Sequence, residues 1–267
     1  MTTVVIVQAR LSSTRLPGKV LLTLGGRPLL ERMLERLAHV RTADAIVVAT
    51  TTEASDDAIA TLAARAGFAC HRGHPTDLLD RHFQAARAAS ADVVVKIPSD
   101  CPLIDPAVVD RVVLAHAEGR GRFAYTSNLH PESYPDGSDV EVMTMEALAA
   151  AWREAERPHE REHTTPFLWD QPDRFPLHAV LWEAGRDVSR THRVVVDYKE
   201  DYDVVRTVFE ALNRPSGAPF TVTEIVAFLD AHPEVRLHNA AHLGTHWQTR
   251  QVVEWRRADR GSAKRLP

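Results

Sequence analysis

Residues 4–19 read VVIVQARLSSTRLPGK, and this stretch decides the fold class. The apolar start is short and β-branched, so it is expected to form a buried strand. Its carboxyl end delivers a loop rich in Ser, Thr and Gly that carries Arg10, Arg15 and Lys19. Open α/β sheets bind ligands at that end of their strands. Three cations so close together suit a triphosphate. Pro17 and Gly18 mark a turn, and Lys19 is one of only four lysines among 32 basic residues. The glycine spacing is not that of the G-x-x-x-x-G-K-[ST] nucleotide loop.

Further apolar runs at 45–49, 93–97, 123–126 and 193–196 read as strands, with helical periodicity between them. That alternation predicts a mostly parallel sheet with helices on both faces. Gly25, Gly26 and Pro28 are expected to open the first helix, whose stripe is Leu29, Leu30, Met33, Leu34 and Leu37. Ser55 suits an N-cap, with Asp56 and Asp57 in the first turn behind it. Helices are also predicted over 76–90, 106–118, 199–212 and 221–231. Residues 127–143 are turn-rich and lead into a short strand, DVEVM. So long an excursion from a parallel core is usually functional.

At 267 residues, with 44% hydrophobic and 25% charged residues, the chain has an ordinary globular composition. We expect one domain over 1–240, an excursion over 127–192 that binds an acceptor or a second copy, and a basic tail over 241–267. The tail carries Arg250, Arg256, Arg257, Arg260, Lys264 and Arg265. No run is long enough to cross a membrane, and a net charge of −4 gives no reason to expect nucleic acid. With no secretory pattern and only Cys70 and Cys101, the default expectation is a cytoplasmic protein.

Asp100 follows the run VVVKI and Asp197 follows VVV, so both are expected at strand ends. Two such carboxylates can share one Mg²⁺, which takes few protein ligands and bridges phosphate oxygens. In PDGSDVEV, Asp136, Asp139 and Glu141 suit sugar hydroxyls; Arg161 and His163 suit an anionic group. Asp80 and Arg81 are expected to close the site from below. Asp105, Glu200 and Asp201 read more simply as turn or capping residues.

His159–His163 spells HEREH, a literal H-E-x-x-H. Zinc binding needs both histidines on one face of an established helix. Pro158 and Pro166 bracket the segment and the lead-in WREAER is polar, so a zinc site is not expected.

Together these segments resemble cytidylyltransferases of the 3-deoxy-manno-octulosonate and acylneuraminate type, especially their SpsF-like relatives. The resemblance is carried by VVIVQARLSSTRLPGKVLLTLGGRPLLERMLERL, HPTDLLDRHFQAAR, VVVKIPSDCPLIDP, YPDGSDVEVMTMEAL, EREHTTPFLWDQPDRF and VVVDYKEDYDVV, over about 4–212. It departs from the family at Ser99, where glycine is commoner, and at Tyr198-Lys199, which replaces Thr-Pro. The resemblance implies a nucleotide-diphospho-sugar transferase fold, GT-A-like and Rossmann-like, with a mixed, mostly parallel sheet. It implies Mg²⁺ on Asp100 and Asp197, and transfer of CMP from CTP to a sugar acid or related polar acceptor. Arg10, Lys19 and Asp100 would be catalytic; Gln8, Ala9, Arg10, Ser13, Arg15, Lys19, Asp80 and Arg81 would bind the nucleotide, with cytosine read by the backbone near Gln8 and Ala9. Some relatives imply a homodimer. Two alternatives stand beside this: a glycosyltransferase using a nucleotide sugar, for which SDC supplies only half of a D-x-D motif, and a non-catalytic nucleotide-binding paralogue.

Overall fold

The computed structural model describes residues 1–245; the basic residues from Arg250 to Arg265 lie outside the described residues. Nine strands are present there: β1 (Thr3–Gln8), β2 (Thr23–Leu24), β3 (Arg27–Pro28), β4 (Ala45–Thr51), β5 (Ala69–Gly73), β6 (Val93–Pro98), β7 (Tyr125–Ser127), β8 (Glu141–Thr144) and β9 (Leu177–Ala179). The helices are α1 (Leu29–Leu37), α2 (Asp57–Arg65), α3 (Leu78–Ala88), α4 (Pro106–Glu118), α5 (Met145–Glu154), α6 (Pro158–His163), α7 (Pro166–Trp169), α8 (Lys199–Leu212), α9 (Val222–Ala231) and α10 (Pro233–Arg236).

Seven strands form one sheet in the order β5-β4-β1-β6-β8-β7-β9. Pairs β5/β4, β4/β1, β1/β6 and β7/β9 are parallel, and β8 runs antiparallel to both β6 and β7. Side chains on a strand alternate between faces, which divides the core. Val5 and Val7 pack with Leu30, Met33 and Leu34 of α1 and Val109 and Val112 of α4. Val4 and Ile6 pack with Leu79 and Phe83 of α3 and Leu148 of α5 on the other face. The mixed, mostly parallel sheet between helices is the predicted architecture.

Several local expectations are corrected. Residues 193–196 do not join the sheet as a strand; one bridge pairs Arg193 with Asp136. Val194 N–H donates to the Asp136 carbonyl at 2.7 Å and Val196 N–H to that of Asp100 at 2.8 Å. Val194 and Val196 bury against α8 and α9, so this segment is apolar because it is covered by helices. Gly25 and Gly26 form the turn of the β2–β3 hairpin, and α1 begins after Pro28. Ser55 lies inside a short 3₁₀ turn, Ala54–Asp56. Asp56 is fully buried and anchors the basic loop instead of complementing a helix end: it accepts from Leu11 N–H at 2.8 Å and from the Thr51 hydroxyl.

Among the described residues no helix is long and apolar enough to cross a membrane.

Candidate active site

β1 and β6 are parallel neighbours, with Gln8 paired to Pro98, so the basic loop and Asp100 leave the sheet side by side. Gly18 adopts φ 69°, a left-handed conformation that glycine takes without a steric cost. Its N–H donates to the Leu11 carbonyl at 3.0 Å, closing the loop and turning Lys19 inward. A cleft of about 450 Å³ opens there.

Lys19 is the hinge of its electrostatics. Its ammonium donates to Asp100 at 2.9 Å, to Asp197 at 3.0 Å and to the Val196 carbonyl at 2.7 Å. Burial works against the charged Lys19, yet attraction to Asp100 and Asp197 outweighs it and the pKa rises. Burial likewise works against charged Asp100, and Lys19 overrides it, so that carboxyl is held below its usual range. Arg15 reaches Asp197 at 2.6 Å. Arg10 lines the same cleft, exposed and without an ion pair among the described residues.

Behind Asp197 lies a buried support. The Arg193 guanidinium donates to Asp136 at 2.6 Å and to Asp201 at 2.8 and 2.9 Å, with Asp197 at 3.4 Å. Asp201 also accepts from the N–H groups of Asp197 and Tyr198, both at 3.0 Å, and from the Asn239 amide at 2.8 Å. It caps α8 as the sequence suggests, and it fixes the backbone that presents Asp197.

The antiparallel side carries the remaining acids. Glu141 pairs with Lys96 and accepts from the Tyr125 hydroxyl at 2.7 Å. Burial raises the Glu141 carboxyl, but Lys96 more than offsets this and the net shift is downward. Gly137 at φ 104° lies against the backbone of Val194 and Val195, where an added Cβ would meet Val195 N at 2.5 Å.

Gln8, Ala9, Arg10, Ser13, Arg15 and Lys19 all line the cleft, as do Arg81, Asp100, Asp136, Asp139, Glu141, His163 and Asp197. Asp80 and Arg161 are not brought to it. Asp80 accepts from the Trp152 indole at 2.8 Å and from Gln84 at 3.0 Å. Arg161 donates to Asp77 at 2.9 Å and to the Trp152 carbonyl at 2.7 Å. Both brace α3 against α5 and α6. His163 is at the cleft, but burial and then Lys96 push its pKa down to about 3, so it is neutral at pH 7 and offers an anion no charge. Ala9 N–H is spent on the Ala49 carbonyl at 3.1 Å. The Gln8 side-chain oxygen is buried without a partner.

Sequence reasoning did not assign Lys96 or Arg193. Each is a cation at or inside a β-branched run, VVVKI or RVVV, and that interruption was the available signal. His159 and His163 do lie on α6, yet no group of three or more His, Cys, Asp or Glu able to hold a metal occurs among the described residues. Two converging carboxylates that already share one positive charge still fit Mg²⁺, a hard cation that completes its shell with water and phosphate oxygens.

A basic loop and an aspartate delivered by adjacent parallel strands to one cleft, with antiparallel strands closing it, define a nucleotidyltransferase of the nucleotide-diphospho-sugar transferase fold. The cytidylyltransferase family model matches residues 4–219, and the chain belongs to that family. The spore coat polysaccharide biosynthesis protein SpsF of Bacillus subtilis is 28% identical over 242 residues, 88% of this chain and 97% of its own. A cytidylyltransferase structure from Leptospira borgpetersenii superposes with a TM-score of 0.83 at 30% identity, covering 88% of this chain and 96% of that one. A CMP:2-keto-3-deoxy-manno-octonic acid synthetase complexed with CTP shares the fold, with a TM-score of 0.61 at 16% identity over 79% of this chain and 99% of that one. The family expected from the sequence motifs is thereby borne out.

Proposed function

We propose that this enzyme is a Mg²⁺-dependent cytidylyltransferase that transfers CMP from CTP to a sugar acid or a related polar acceptor, releasing pyrophosphate. The observation that carries this reading is the Lys19 ammonium set between Asp100 and Asp197. Cations and carboxylates that satisfy one another in the free cleft can exchange partners when a polyanion enters. Arg10, Arg15 and Lys19 then neutralise the β and γ phosphates and hold the α phosphate in line with the acceptor. Asp100 and Asp197 would hold Mg²⁺, which when bound supplies further neutralisation of phosphate charge. Transfer of this kind depends chiefly on positioning and charge stabilisation.

The unpartnered Gln8 oxygen is an acceptor suited to the exocyclic amine of cytosine. Lys96, Asp136, Asp139 and Glu141 face the acceptor side, where a polar, hydroxylated molecule suits them better than an apolar one. The CMP:2-keto-3-deoxy-manno-octonic acid synthetase that shares the fold makes a sugar acid the first acceptor class to test.

Calorimetric titration with CTP, UTP, GTP and ATP, with and without Mg²⁺, tests the nucleotide half. Mg²⁺-dependent preference for CTP that is lost in Lys19→Ala supports it; no binding, or preference for another base, overturns it. Pyrophosphate release from CTP with 3-deoxy-manno-octulosonate, N-acetylneuraminate, glucuronate and 2-aminoethylphosphonate then identifies the acceptor class.

A further inference from the structure

The interior carboxylates of the cleft are engaged, with one exception. Asp100 is held by Lys19, and Asp197 by Arg15 and Lys19. Arg193 holds Asp136, while Lys96 and Tyr125 hold Glu141. Among the described residues, no hydrogen bond or ion pair reaches the carboxylate of Asp139, a partly exposed residue on the cleft wall. Glu162, the other cleft acid without such a partner, lies exposed at the rim on α6.

Asp139 is nonetheless held firmly. On one side the Ser138 carbonyl accepts from the Asn128 amide at 2.6 Å, and on the other Val140 N–H donates to Asn128 Oδ1 at 2.9 Å. Gly137 presses the same loop onto the backbone of Val194 and Val195. Three acids, Asp136, Asp100 and Glu141, and one cation, Lys96, set the charge around it. A rigidly presented carboxylate with no direct ion pair or hydrogen bond is a costly element in a fold, and one that can accept a proton from a bound molecule.

We propose that Asp139 is the general base of the transfer, taking the proton of the acceptor hydroxyl as that oxygen attacks the α phosphorus of CTP. The acceptor O–Pα bond forms while the bond from Pα to the oxygen bridging to Pβ breaks. The electron pair of the broken bond leaves on pyrophosphate, and the proton passes to Asp139 and then to water. Its place on the cleft wall, with no hydrogen bond or ion pair on the carboxylate among the described residues, leaves its oxygens able to take that proton. The assignment rests on the cytidylyltransferase reading and names a role within it.

The test measures kcat from about pH 5.5 to 9 at saturating CTP for the wild type, Asp139→Asn, Asp139→Glu and Glu162→Gln, with whichever of 3-deoxy-manno-octulosonate, N-acetylneuraminate and glucuronate releases pyrophosphate fastest; turnover with 2-aminoethylphosphonate alone, whose attacking oxygen needs no base, overturns the base assignment. General-base catalysis contributes ~100-fold or more, so Asp139→Asn should lose kcat by at least that factor and lose the acid limb of the profile. Its CTP affinity, read by calorimetry, should stay within about two-fold of wild type, because Asp139 is not a nucleotide-binding group. Asp139→Glu should keep an acid limb and part of the rate, and Glu162→Gln should behave as wild type. Asp139→Asn that keeps more than a tenth of kcat, keeps the acid limb, or loses CTP affinity as steeply as rate overturns the assignment while leaving the functional reading in place. A wild type that releases no pyrophosphate with any of the four acceptors overturns the functional reading, and the base assignment falls with it.

Discussion

Lys19 and Asp100 are 2.9 Å apart, and the same ammonium lies 3.0 Å from Asp197, so one side chain ties the end of β6 to the segment that enters α8. In Lys19→Met the stem is kept and the charge is lost. The two carboxylates then face each other with Arg15 and Arg193 still beside Asp197. Breaking a buried ion pair costs about 3–5 kcal/mol; those remaining cations and the partial exposure of Asp100 put this case at or below the lower figure. Urea denaturation should therefore show a loss of about 2–3 kcal/mol, and calorimetry a fall of at least ~10-fold in CTP affinity, which corresponds to about 1.4 kcal/mol. Undiminished CTP affinity in this variant would remove Lys19 from the phosphate site.

Asp100→Asn separates the two duties of that carboxylate. The amide keeps the shape but cannot ionise, so Lys19 loses one of its two carboxylate partners. Pyrophosphate release should fall by ~100-fold or more, the scale seen when a group that stabilises transition-state charge is removed, with far-ultraviolet circular dichroism unchanged. An active Asp100→Asn would dissociate the carboxylate from the chemistry.

How far the sequence could be read depends on whether a feature is local. The strands β1 and β6 are short β-branched runs ended by loop residues, and α1 and α4 carry their own apolar spacing and, in α4, an Asp-Pro start. Those are properties of single segments. Residues 193–196 have the same composition as a strand, and only the placement of α8 and α9 over Val194 and Val196 shows that helices, not neighbouring strands, bury them. The edge strand β5, ACHRG, is polar and half-exposed, so periodicity does not mark it. The cleft followed the same rule. Gln8 to Lys19 and Asp100 are placed by the strand ends that precede them, whereas Asp80 and Arg161 are withdrawn into the α3–α5–α6 contact by Trp152 and Asp77, residues 72 and 84 positions away.

Asp201 is fully buried and joins Arg193, Asn239 and the N–H groups of Asp197 and Tyr198. Asp201→Ala leaves the Arg193 charge short of one partner in a buried setting, a class of change that costs about 3–5 kcal/mol. Asp201→Asn retains acceptor capacity on one oxygen and should lose less. If Asp201 serves to present Asp197, Asp201→Asn should require more Mg²⁺ for half-maximal rate while its CTP-independent stability stays above that of Asp201→Ala. Equal Mg²⁺ requirement in wild type and Asp201→Asn would reduce Asp201 to a helix cap.

His82 is fully buried, and burial followed by Lys96 pushes its pKa from 6.5 to about 3. Its Nδ1–H donates to the Leu78 carbonyl at 2.9 Å, which suits the neutral ring. Since the folded pKa is depressed, the unfolded chain takes up the proton first as pH falls. The stabilisation is complete above 6.5 and is lost progressively from there down to about 3. At about 1.4 kcal/mol per pH unit, the loss for His82 is about 2 kcal/mol between the unfolded value and pH 5. His163, also lowered to about 3, acts in the same direction. Urea denaturation should therefore show stability falling from pH 7 to pH 5, with a shallower slope in His82→Gln. A flat profile over that interval in the wild type would contradict neutral burial of these rings.

Gly137→Ala probes how the loop bearing Asp136 and Asp139 is seated. A Cβ at φ 104° would stand 2.5 Å from Val195 N and 2.6 Å from the Val194 carbonyl carbon, both backbone atoms that cannot swing aside as a side chain would. The residue must also hold a left-handed conformation, which adds strain of about 1–3 kcal/mol. The loop is therefore expected to lift from the segment 193–197, carrying Asp136 away from Arg193 and Asp139 out of the cleft. Stability should drop by at least about 1 kcal/mol. The rate of CMP transfer should drop by more than the affinity for CTP, because Arg10, Arg15 and Lys19 reach the cleft from a different loop. Loss of CTP affinity in step with rate would mean instead that the seating of Gly137 governs the whole cleft, including the phosphate side.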